Sequence, residues 1–194
     1  MKYNLSEVTQ IIRNRRSIKP ESFSDRKVHK EQIELMLTNA TWAPTHGMTQ
    51  PWLYKVYTGD SLLKLADFVP GLYKLKTPTE SFNQSKFDKM KARLSNASVV
   101  IIVCLKRDPT GKIKEWEEIE AVACGVQNMA LTATAYGLGT FWATPSLIYT
   151  SEMKEFLSLS ERDSCLGLFY VGYLNGEWPS SHRRPLEYVT EWHD

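Results

Sequence analysis

Ala97-Ser98-Val99-Val100-Ile101-Ile102-Val103-Cys104-Leu105 is the stretch that decides the architecture. Beyond Ser98 every residue is apolar, so an extended chain here would be oily on both faces. A strand with one wet face alternates polar and apolar residues. A continuous apolar run of strand length predicts a central strand, covered on both sides. The run is far shorter than the ~20 residues of a membrane helix, and no other run is longer.

Working outward, Asp108-Pro109-Thr110-Gly111 reads as a turn. Glu115 to Tyr136 is the longest helical pattern, acidic at its start and apolar on most sides later, with Ala121, Ala123, Gly125, Ala130, Ala133 and Ala135 interspersed. Its surplus of apolar faces predicts packing on more than one side, and a two-fold homodimer is one way to supply it. Gly137-Leu138-Gly139 stops the helix. A short strand at 140–143, a helix from Thr150-Ser151 through Leu157, a strand over Leu166–Tyr173 and a polar tail follow. Toward the N-terminus, 86–94 reads as a helix. Residues 71–86, polar and aromatic with Pro78, read as a mobile excursion, either a lid or a plain surface connection. A helix over 61–68 should end at Pro70-Gly71, and Leu53–Tyr57 suggests a strand. Helices are expected over 30–42 and over 6–16, the latter capped by Ser6 and stopped by Pro20. Helices and strands mix without strict alternation, which predicts an α+β fold. At 194 residues the chain suits one domain over 1–194.

The 24 basic and 22 acidic residues leave a net charge of +2, so there is no whole-molecule field of the kind that draws a protein to nucleic acid. The N-terminus has no apolar signal segment. Cys104, Cys124 and Cys165 are odd in number, far apart in sequence and in apolar context, which reads as buried thiols in a reducing cytoplasm. His29, His46, His182 and His193 lack ligand spacing, so no protein-bound metal is expected. A Gly-x-Ser-x-Gly elbow, a P-loop and a His-Glu-x-x-His pair are all missing from the sequence, which removes the usual support for hydrolase or phosphotransferase chemistry.

Two segments carry chemistry. Arg15-Arg16-Ser17-Ile18-Lys19 gathers three cations and a hydroxyl at a helix C-terminus. That is either charge compensating the helix dipole or a phosphate cradle, since the arginine fork matches phosphate and serine adds a donor. Ala43-Pro44-Thr45-His46-Gly47-Met48-Thr49-Gln50-Pro51-Trp52 is a proline-stiffened polar loop. It suits one edge of a planar heterocycle, or else simply joins a helix to a strand with Trp52 as a core anchor. His46 is a ligand contact or a surface histidine.

These segments resemble two signatures of the FMN-dependent nitroreductase family, Arg-(Arg/His)-Ser-x-(Lys/Arg) and Ala-Pro-Ser-x-x-Asn-x-Gln-Pro-Trp. Gly137-Leu138-Gly139 through Trp142, the Leu166–Tyr173 strand ending Gly-Tyr, and Arg183-Arg184-Pro185-Leu186-Glu187 resemble three further family elements, in the family's order. The resemblance implies an α-β-α sandwich around a mainly antiparallel sheet, an intertwined homodimer and FMN at the dimer interface. It implies that Arg15, Arg16 and Ser17 hold the phosphate and ribityl side, with Arg183, or Arg184 in its place, at the phosphate. Lys19 would lie near the pyrimidine edge. Trp42, Thr45, His46 and Gln50 would approach the flavin, some from the partner, and Trp142, Ala143 and Thr144 would run past it. The flavin would carry the chemistry, with no catalytic protein residue. NAD(P)H would be the reductant, and a nitroaromatic, quinone or similar small molecule the acceptor, in a ping-pong scheme. A flavin-fragmenting or dehalogenating enzyme and a non-catalytic flavin sensor are the alternatives. Met48 stands where the family has Asn, and His46 where it usually has a small residue, so the implied pocket is altered there.

Overall fold

The computed structural model describes residues 2–193. Four strands, β1 (Trp52–Tyr57), β2 (Val99–Leu105), β3 (Leu138–Ala143) and β4 (Ser164–Tyr173), form one antiparallel sheet in the order β1-β2-β4-β3. Six helices surround it: α1 (Leu5–Asn14), α2 (Lys30–Ala40), α3 (Gly59–Lys76), α4 (Gln84–Asn96), α5 (Glu115–Ala135) and α6 (Ser151–Phe156).

β2 is central and buried at every residue. Its side chains alternate between two cores. Val100, Ile102 and Cys104 pack with Leu65 and Val69 of α3, Leu94 of α4 and Met153 of α6. Val99, Ile101, Val103 and Leu105 pack with Met36 of α2 and Val122, Val126 and Met129 of α5. The result is the expected α+β sandwich. An isolated parallel bridge between Ser17 and Thr140 is the exception to the antiparallel pairing. Trp52 is half-buried against the α2–α5 core. None of the described helices is long and apolar enough to cross a membrane.

The structure corrects four expectations. First, α3 does not stop before Pro70 but runs to Lys76 with that proline inside. A proline in a helix interior costs about 3 kcal/mol. Val69, Leu72 and Tyr73 continue the buried stripe of Leu62, Leu65 and Ala66, and side chains of their size contribute about 1.5–3 kcal/mol each when buried. Burial therefore outweighs the broken backbone bond. Second, the 71–86 excursion shrinks to a short link between α3 and α4. Its end is fastened, since Asn83 N–H donates to the Tyr73 hydroxyl at 3.1 Å and Phe82 packs against both Tyr73 and Phe87. Third, Cys124 is exposed on α5, whereas Cys104 and Cys165 are buried as expected and pair opposite one another across β2 and β4. Fourth, the cap of α1 is Asn4, whose side chain accepts from Ser6 and Glu7 N–H; Ser6 is not the cap.

Candidate active site

The site is built at the β3 edge of the sheet, and a pair of glycines positions it. Gly139 of β3 and Gly172 of β4 are register partners. A side chain on Gly139 would meet Ile18 at 2.8 Å, and one on Gly172 would meet the Phe23 ring at 2.6 Å. Only hydrogen fits at either place. The two form a slot in which Ile18 and Phe23 bury, at 4% and 9% exposure. Ile18 N–H donates to Thr140 C=O at 2.8 Å, which lays the segment parallel to β3. Sequence reasoning reads these glycines as a helix stop and a strand end; their packing role depends on pairing between strands far apart in the chain.

The same segment carries Ser17 and Lys19 past β3. Phe141, Trp142, Ala143 and Thr144 then line a cleft of about 440 Å³ against α4 and Tyr170. That volume is within the usual range for small-molecule sites. Trp142 is held by its indole N–H, which donates to Leu166 C=O at 3.2 Å. Burial pushes the Tyr170 phenol up to about 12, so it stays neutral. Arg93 of α4 lies over the Phe141 ring at 5.5 Å, and its Nε is 2.8 Å from Glu21 Oε1. Arg93, with Lys86 and Lys89, is absent from the sequence expectation. Their spacing of three, four and seven residues on one helical stretch is the signal that could have found them.

The first segment's arginines divide. Arg16 is already engaged: its Nε donates to Pro179 C=O at 2.9 Å, and Nη1 donates to the carbonyls of Arg13 and Arg15. With Trp178 Nε1–H donating to Asn14 C=O at 2.6 Å, it fastens the C-terminal tail to the end of α1. The tail thereby brings Arg183 into electrostatic reach of Arg15. Partial burial, then Arg183 and Arg16, lower the pKa of Arg15. Among the described residues no carboxylate pairs with Arg15 or Arg183. Clustered cations without a counter-charge fit a compact dianion such as a phosphate monoester.

The second segment lies elsewhere. Residues 42–51 precede β1, at the opposite edge of the sheet from β3. Three strand spacings separate the edges, roughly 14 Å. The loop is tightly built: the Thr45 hydroxyl accepts from Gln50 N–H at 3.1 Å and contacts the Thr49 hydroxyl at 3.2 Å. Met48 and Gln50 both hold positive φ, at 54° and 47°. Side chains rarely adopt that conformation, and such strain clusters at functional loops. His46 Nδ1 pairs with Glu117 at the start of α5. Trp42 is 82% exposed. One copy of the chain therefore brings Arg15, Ser17, Lys19, Trp142, Ala143, Thr144 and Arg183 to one side and leaves Trp42, Thr45, His46 and Gln50 on another. No three His, Cys, Asp or Glu side chains gather as a metal site among the described residues.

Known proteins share this fold. A nitroreductase-like family protein of Bacillus cereus superposes with a TM-score of 0.82 at 27% identity, over 100% of this chain and 99% of its own. A Desulfovibrio desulfuricans protein described as a nitroreductase, solved in complex with FMN, superposes with a TM-score of 0.71 at 27% identity, also over 100% and 99%. The Bacillus subtilis protein YfhC, which carries the name of a NAD(P)H nitroreductase, is 25% identical over 183 residues, 93% of this chain and 91% of YfhC. The model of the nitroreductase family matches residues 12–173, most of the chain, and with the fold in agreement the chain belongs to that family.

Proposed function

We propose that this chain is an FMN-dependent oxidoreductase that takes reducing equivalents from NAD(P)H and passes them to a small acceptor such as a nitroaromatic or quinone. The observation that carries the reading is the meeting of two features on one edge of the sheet. Arg15 and Arg183 form a cation cluster that no carboxylate joins among the described residues, and farther along the β3 edge, past the Ser17–Thr140 bridge, runs an aromatic-lined cleft bordered by Trp142, Ala143 and Thr144. The first suits the phosphate of FMN and the second its ring system.

Bound FMN supplies the hydride chemistry, and the protein orients and tunes it. Arg15, Arg183 and the Ser17 hydroxyl hold the phosphate end, while Arg16 keeps the tail that carries Arg183 in place. Lys19 and Arg93 place positive charge beside the ring, where negative charge develops on reduction, and such preorganised charge stabilises it. Phe141, Trp142 and Tyr170 give the cleft an aromatic wall for the ring to stack on. Reductant and acceptor use the cleft in turn.

The site is completed by a second copy. Leu5, Val8 and Ile12 of α1 are exposed, as are Leu186, Tyr188, Val189 and Trp192 of the tail. Apolar surface on this scale calls for a partner. A two-fold axis sets the 42–50 loop of one chain against the β3-edge cleft of the other. Steady-state NAD(P)H oxidation with a varied quinone tests the function. Parallel reciprocal plots are expected; acceptor-independent rates would overturn it.

A further inference from the structure

The cleft carries more positive charge than the ring edge of a flavin requires, and the excess lies along one line. α4 presents Lys86, Lys89 and Arg93 to it. Glu21 is the carboxylate that meets them among the described residues, at 2.8 Å from Arg93 Nε and 3.8 Å from Lys89 Nζ. Among the described residues no carboxylate pairs with Lys86; its ammonium lies over the Tyr73 ring at 4.8 Å. Three cations thus face one anion. Arg93 is at the end nearest Phe141 and the Ser17–Phe23 segment. From it, Lys89 lies about 6 Å and Lys86 about 10 Å farther along the helix axis. The Arg93-to-Lys89 offset is about the span of a para-substituted benzene ring, and Phe141, Trp142 and Tyr170 give the cleft a flat aromatic wall beside Met90 and Val69.

We propose that Lys86 and Lys89 form an anion subsite that selects aromatic acceptors bearing a carboxylate across the ring from the group that is reduced. The inference rests on the oxidoreductase reading and adds to it the chemical class of the acceptor. A neutral aromatic gains only stacking in the cleft, whereas an anionic one gains the two charges as well. The 2′-phosphate of NADPH is the other source of compact negative charge, and the experiment separates the two.

The test compares 4-nitrobenzoate with its neutral isostere 4-nitrobenzamide, in the wild type and in the Lys86→Gln/Lys89→Gln double variant. For two exposed charges the wild type should favour the anion by roughly three- to tenfold in kcat/KM at low salt, and the preference should shrink as salt rises. The double variant should lose the preference. An equal ratio in both proteins overturns the proposal. So does a variant whose defect falls on flavin reduction by NADPH relative to NADH, because the anion site would then belong to the reductant. A second measurement needs no turnover: benzoate and benzamide are titrated into the purified protein and followed by ligand-observed NMR. Lysine-dependent benzoate binding in a protein that reduces neither the nitro compounds nor a quinone with NAD(P)H upholds the subsite and refutes the oxidoreductase reading. Benzoate binding that is the same in both proteins refutes the subsite even if turnover is normal.

Discussion

Replacing Gly172 with alanine should unseat the segment that carries Lys19. The new Cβ would stand 2.6 and 2.7 Å from two ring carbons of Phe23, and that ring is buried in the slot at 9% exposure. The glycine has no positive φ, so the cost is steric rather than conformational. Overpacking of this kind costs about 1–3 kcal/mol, which lowers the melting temperature of a chain this size by about 2–12 °C. Phe23→Ala alone should cost about 3–5 kcal/mol through the cavity it leaves. In the double variant the alanine methyl occupies part of that cavity. The two changes should then sum to less than their separate costs, by about 0.5–3 kcal/mol. Urea unfolding followed by circular dichroism gives the cycle, with flavin-stripped protein used so that ligand linkage does not enter. Gly172→Ala should also weaken FMN binding, since the same slot seats the segment that carries Ser17 and Lys19 along β3. Additive effects, within about 0.5 kcal/mol, would refute the packing argument.

Arg15→Ala and Arg183→Ala should each weaken FMN binding by about 1.5–3 kcal/mol, the worth of a charge-assisted contact; fluorescence titration of the apoprotein checks this, and wild-type affinity in both would remove the phosphate assignment. Partial burial alone would raise the Glu21 carboxyl, but its backbone hydrogen bond and Arg93 outweigh that and hold it below the usual range. A depressed folded value means its stabilisation is complete above the ordinary glutamate value of about 4.3 and is lost as the pH falls through the lower folded value; Glu21→Gln should flatten the acid limb of a urea-midpoint profile, and an unchanged limb would contradict the pairing. His46→Gly should change acceptor preference in stopped-flow reoxidation, because the proposed dimer sets the loop against the partner's cleft; identical reoxidation rates for every acceptor would show that it does not.

Much of the fold was legible because burial leaves a plain signature. β2 is apolar at every position and is central. α5 is apolar on most sides and packs against both the sheet and α2. What was illegible depended on competition or on distance. Pro70 is a strong local stop signal, and only the tertiary burial of Leu72 and Tyr73 overrides it. The Gly139–Gly172 slot requires knowing that β3 pairs with β4. Among the site residues, Arg16 is sequence-adjacent to Arg15 but turns to the backbone carbonyls instead. Arg93 shares a helical face with Lys86 and Lys89, but that face marks a cleft only once α4 is placed against β3. That the two motif segments sit at opposite sheet edges follows from topology, which spacing along the chain does not reveal.

The central claim is that this chain holds FMN and exchanges reducing equivalents through it. The most direct measurement is anaerobic stopped-flow absorption of the purified, FMN-loaded protein, mixed first with NADPH or NADH and then with a quinone. The account predicts full bleaching of the flavin band in the first mix and its return in the second, at rates that sustain the steady-state turnover. A protein that retains no FMN, or whose bound FMN neither nucleotide bleaches, would contradict it.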